Sequence, residues 1–97
     1  MAKLKIEWSR KAADELKNIL EYYNERNLSN IYSKKLFARI MKYIDILAEN
    51  PLLGIKTNYP NVRTFIFDNH QIIYEIKDDY LLISMIWDSR RNPHLKF

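Results

Sequence analysis

Three arginines near strand ends are the side chains of this chain best suited to chemistry. Arg63 stands second in the otherwise apolar run "VRTFIF", and Arg90 and Arg91 close "ISMIWDSRRNP". A guanidinium offers a planar fork of donors that matches carboxylate or phosphate oxygens. Grouped, the three would neutralise phosphates or stabilise a developing phosphorane. Each has a plainer reading. Arg63 can lay its stem along the apolar surface or pair with an acid such as Asp88 or Glu75. Arg90 and Arg91 can be the charged stop of a core strand.

Other residues extend the set. Lys56 and Tyr59 lie in the loop "GIKTNYPN" before Arg63 and can converge with it near the mouth of a sheet. Lys34, Lys35, Arg39 and Lys42 follow one another with no acid between them. They are either a solvated helix face or a landing strip for phosphates or acidic side chains. His70 and His94 fall beside a turn and near the C-terminal end, where a structural or exposed role is expected. The chain has no HExxH motif, no cysteine and no glycine-rich phosphate loop. No metal site and no cofactor are expected.

The elements that must position these residues follow from periodicity. Leu4, Ile6 and Trp8 alternate with Lys3, Lys5 and Glu7, which predicts a half-buried strand. Ser9 can cap the helix predicted from Lys11 to about Arg26, whose apolar stripe is Ala13, Leu16, Ile19, Leu20 and Tyr23. After Asn27-Leu28-Ser29-Asn30, with Ser29 or Asn30 as cap, a second helix carries Leu36, Phe37, Ile40, Ile44 and Leu47 until Asn50-Pro51 stops it. A connection that short makes the two helices an antiparallel hairpin. Residues 51–61 read as a loop. Strands follow at Val62–Phe67, Gln71–Ile76 and Tyr80–Trp87, separated by turns at Asp68-Asn69 and Lys77-Asp78-Asp79. The last strand is apolar on both faces and should be central. The fold class is α+β. An N-terminal strand and an antiparallel two-helix hairpin pack on a mainly antiparallel sheet of about four strands, in the order β-α-α-β-β-β.

At 97 residues the chain is expected to be one domain, 1–97, with one core. Its 47% hydrophobic and 29% charged residues exclude the disordered class. No run approaches the ~20 apolar residues of a membrane span. The absence of cysteine suits a reducing compartment, so a cytoplasmic location without membrane contact is expected. A net charge of +4 and a pI of about 9.3 favour an acidic partner without choosing between nucleic acid and protein.

"IEWSRKAADELKNILEYY", "ENPLLG", "VRTFIF", "HQIIYEI" and "ISMIWDSRRNP" follow one another in the order and spacing of the RelE/ParE toxin superfamily, which the chain resembles from about residue 4 to 93. The resemblance implies a toxin of a type II toxin–antitoxin, or plasmid-stabilisation, system that inhibits growth and is neutralised by a cognate antitoxin. It also implies a homodimer or a toxin–antitoxin hetero-oligomer. ParE-like members poison DNA gyrase by binding, whereas RelE-like members cleave mRNA on the ribosome. On the nuclease branch, Arg63 matches the second-strand arginine and Arg90 and Arg91 the arginine-rich strand end, with Lys56, Tyr59 and His94 as weaker catalytic candidates. The terminal tyrosine of that branch is missing, and Pro93 precedes His94. The "D-x-R-x-N-P" ending and the long hairpin look ParE-like. The expected reading is therefore a binding toxin, with endoribonuclease or a non-toxic interaction module as alternatives. Arg63, Arg90, Arg91, Lys34, Lys35, Arg39 and Lys42 would then contact target or antitoxin. In either branch Arg63, Arg90 and Arg91 are expected to meet on the face of the sheet that the helices leave uncovered.

Overall fold

The structure, a computed structural model, describes residues 3–90. Strand β1 (Lys5–Trp8) leads to helix α1 (Arg10–Asn27) and helix α2 (Ile31–Glu49). A 3-10 turn (Pro51–Leu53) and a two-residue strand β2 (Ile55–Lys56) precede the meander β3 (Val62–Phe67), β4 (His70–Ile76) and β5 (Tyr80–Asp88). The sheet among the described residues has five strands in the order β1-β5-β4-β3-β2, not about four. The added strand is β2, which pairs Ile55 with Thr64 and Lys56 with Arg63. Two residues are too few to show a period, so this segment reads as loop in the sequence. Pairing is antiparallel except where β1 runs parallel to β5. β5 lies between β1 and β4, as its two apolar faces require.

Local chemistry sets the helix ends. Ser9 Oγ accepts from the Ala12 amide at 3.0 Å and donates to the Ser84 carbonyl at 3.0 Å, so the α1 cap is also tied to the sheet. The helix closes on Leu28, which takes the left-handed conformation (φ 51°) that glycine usually occupies. Ser29 Oγ accepts from the Ile31 amide at 3.1 Å at the start of α2, while Asn30, at the N-cap, makes no side-chain cap.

Ala12, Leu16, Ile19 and Tyr23 of α1 and Leu36, Ile40, Ile44 and Leu47 of α2 are buried against Ile72 and Tyr74 of β4 and Leu81, Ile83 and Ile86 of β5. Two positions expected on these stripes lie outside them. Ala13 is exposed and Ala12 takes the buried place, while Phe37 remains 43% exposed. Each sits one position off the narrow contact line along which a helix hairpin touches a sheet.

Register assigns the faces. Phe65, Ile72 and Ile86 lie abreast on the helix-packed face, as do Arg63, Tyr74 and Ile83. Thr64, Ile73 and Met85 lie abreast on the opposite face. The last row of the helix-packed face is Phe67, His70 and Asp88.

Candidate functional site

Arg63 and Arg90 do not meet. Arg63 pairs with Tyr74 of β4, whereas Asp88, two residues before Arg90, pairs with His70. Those β4 positions are about 13 Å apart along the strand at ~3.3 Å per residue. Arg63 and Arg90 therefore stand toward opposite ends of the sheet, and Arg63 belongs to the helix-packed face rather than the uncovered one. Arg91 and His94 lie outside the described residues.

At the Arg63 end, the guanidinium is fixed by backbone. Its Nη1 donates to the carbonyls of Gly54 at 2.7 Å and Leu52 at 3.2 Å, so neither Asp88 nor Glu75 is its partner. Tyr74 completes the same corner. Its hydroxyl donates to the Pro51 carbonyl at 2.7 Å and accepts from the Gly54 amide at 2.9 Å. Burial pushes the Tyr74 hydroxyl pKa up, so it stays a donor at neutral pH. A cavity of about 450 Å³ opens here, and Lys56, Tyr59 and Arg63 converge on its lining as their spacing suggested.

At the other end, Asp88 is the surprise. It reads as the first polar residue after a core strand, yet it is fully buried. The Tyr23 hydroxyl donates to its Oδ2 at 2.6 Å and the Arg90 amide to its Oδ1 at 2.9 Å. His70 Nε2 lies 3.4 Å from Oδ2, and His70 is itself 1% exposed. Burial alone would raise the Asp88 pKa. The groups donating to it and the nearby histidine outweigh that and hold it below the usual carboxylate range. Burial and the bond to Asp88 push Tyr23 far above the ordinary phenol value. Asp88 thus fixes the point where the chain leaves β5, and its partners come from α1, β4 and the following turn. Ser89 adds to this through its amide, which donates to the Asn69 carbonyl at 2.9 Å.

Arg90 is exposed and shares a small surface cavity of about 200 Å³ with Tyr23, Arg26, Asn27 and Tyr32. Arg26 was not legible as a site residue in the sequence. It is a common last-turn cation there, and only the packing of α1 on β5 places it beside Arg90.

On α2, Lys34, Lys35 and Lys42 are exposed and make no ion pair among the described residues. Arg39 is engaged: its Nη1 lies 2.7 Å from Asp68 Oδ2, and its guanidinium carbon sits 5.2 Å above the Phe67 ring. It clips α2 to the β3–β4 turn. Among the described residues no group of three or more His, Cys, Asp or Glu side chains could hold a metal, and no helix is long and apolar enough to cross a membrane.

The fold is found in solved structures from several bacteria. The chromosomal ParDE toxin–antitoxin system of P. aeruginosa gives a TM-score of 0.76 at 22% identity, over 89% of this chain and 96% of that one. The YoeB dimer of Staphylococcus aureus gives 0.60 at 22% identity, over 87% and 94%. The E. coli DinJ–YafQ toxin–antitoxin complex gives 0.54 at 14% identity, over 94% and 98%. These likenesses show a shared fold. No curated protein matches the chain. The family model of the ParE toxin of the type II toxin–antitoxin system parDE matches residues 6–93, so the chain belongs to the ParE toxin family.

Proposed function

We propose that this ParE-family chain is held inactive by a cognate antitoxin and acts by binding its target, DNA gyrase, rather than by cleaving RNA. The observation that carries this reading is the separation of Arg63 from Arg90. A ribonuclease needs cations around one phosphate with a proton acceptor and donor in reach. Here Arg63 is held by two backbone carbonyls at one end of the sheet, while Arg90 is exposed at the other. The ParDE and DinJ–YafQ structures, toxin–antitoxin systems of the same fold, support an antitoxin partner.

The binding surface in this reading is the corner of Arg26 and Arg90. Buried Asp88 holds the Arg90 amide, so this corner is oriented before any target arrives. The test compares purified gyrase with a translation extract. Inhibition of supercoiling without mRNA cleavage is expected. Cleavage of translated mRNA would make the chain an endoribonuclease, and growth unaffected by its expression without antitoxin would make it an interaction module.

A further inference from the structure

The β2 edge carries a charge arrangement that the chain itself does not balance. Lys56 and Arg63 stand directly opposite each other across β2 and β3. Like charges in that position destabilise a sheet. The adjoining cavity of about 450 Å³, lined among others by Leu52, Asn58, Asn61 and Ile76, has no carboxylate among the described residues. Lys56 is exposed and makes no ion pair or side-chain hydrogen bond among them. Arg63 spends only Nη1 on backbone carbonyls. Its Nε–Nη2 fork, the edge that fits a carboxylate in two bonds, has no partner among the described residues.

The backbone beside this pair is also open. β2 ends the sheet order, so its outer side faces no strand among the described residues. The Thr57 amide donates to the Val62 carbonyl at 3.3 Å, which marks an inward-bonding position. By the alternation of an antiparallel ladder, the Lys56 N–H and C=O point outward. On the other face Ile55 is 60% exposed and Ile66 51% exposed, around a groove of about 360 Å³ that also includes Thr64 and Gln71. A strand added here would set one residue opposite Lys56 and its neighbour opposite Ile55.

We propose that the β2 edge receives an extended polypeptide segment in which an acidic residue adjoins an apolar one. The acidic side chain enters the Lys56–Arg63 cavity and neutralises the paired cations. The apolar one covers Ile55 and Ile66, and the main chain hydrogen-bonds to Lys56. Charge complementarity with a chain of net charge +4 supports the choice. A phosphate-bearing nucleic acid would use the cations but neither the strand edge nor the isoleucines. The inference stands apart from the identity of the toxin's target.

The test is a titration of the isotopically labelled full chain with a short peptide alternating Glu and Val, followed by NMR. Saturable shifts at the Ile55 and Lys56 amides and at Arg63 Nε are expected, with slowed exchange of the Lys56 amide. Lys56→Glu should weaken binding about tenfold or more, and a Lys–Val peptide should bind that variant and not the parent. Ile55→Lys should weaken binding while leaving the charge pair intact, and thermal melts confirm that both variants fold. No saturable shift, shifts confined to β1, or indifference to Lys56→Glu would overturn the proposal. Competition by single-stranded RNA that moves the cation signals but not Ile55 would overturn the choice of peptide.

Discussion

Asp88 shows how one side chain can join distant parts of a small domain. Its carboxylate is out of water, and a buried charge is tolerated only when hydrogen-bonded or paired. Tyr23, the Arg90 amide and the nearby His70 meet that need. The folded-state pKa of Asp88 is lowered. Its contribution to stability is therefore present above the unfolded carboxylate value, about pH 4, and is lost as pH falls through the lower folded value. We predict that the melting temperature of the parent chain drops on acidification below about pH 4. Asp88→Asn should flatten that acid limb and cost about 2 kcal/mol at neutral pH, because bonds to a charged acceptor are weakened. Melts across pH for both chains check this. Gly54 is a second single-residue constraint, set by space and not by backbone angle, since its φ is −69°. A Cβ there would meet Tyr74 Oη at 2.5 Å and the Thr64 carbonyl at 3.0 Å. Gly54→Ala should cost about 1–3 kcal/mol by urea denaturation. Tyr74→Phe in the same chain should recover part of it, because the two positions share one contact.

Among the elements, the helical hairpin is specified most locally. Ser9 caps α1, and the break at residues 28–30 separates two helices whose stripes face one way. Its weak point is Leu28, 91% exposed and left-handed. A side chain in that conformation costs roughly 1 kcal/mol, which glycine avoids. Leu28→Gly should therefore raise stability by up to about 1 kcal/mol, a gain of several degrees in melting temperature for a domain of this size. An unchanged or lower value would show that the greater freedom of glycine in the unfolded chain offsets the relieved strain. The sheet is less local. The turn at Asp68 takes φ 50°, as an Asp or Asn turn allows, but β2 depends on its pairing with β3.

For the whole molecule, the fold separates two basic corners that the sequence reading joins as one. That separation gives opposite expectations for similar substitutions. Arg63→Ala leaves two carbonyls without their donor and should lower stability by about 1–2 kcal/mol. Its effect on growth arrest should follow the loss of folded protein. Arg90→Ala together with Arg91→Ala should leave the melting temperature within a few degrees and reduce growth arrest strongly. Measuring both quantities on both variants separates a supporting arginine from a contacting one. Equal losses of toxicity at unchanged stability would return Arg63 to the functional surface.

The sequence by itself determined the fold class, the order of the elements, the helix hairpin and the family. Those signals are local: a change of period from two to 3.6, a serine before a helix, a proline after one, and short motifs in fixed order. The neighbours of each side chain were left to the tertiary structure. Strand register carries Arg63 and Arg90 apart, the docking of α1 on β5 brings Arg26 to Arg90, and Asp88 is buried by a tyrosine 65 residues away. Contacts of that kind arise from how separate elements dock, and no spacing along the chain encodes them.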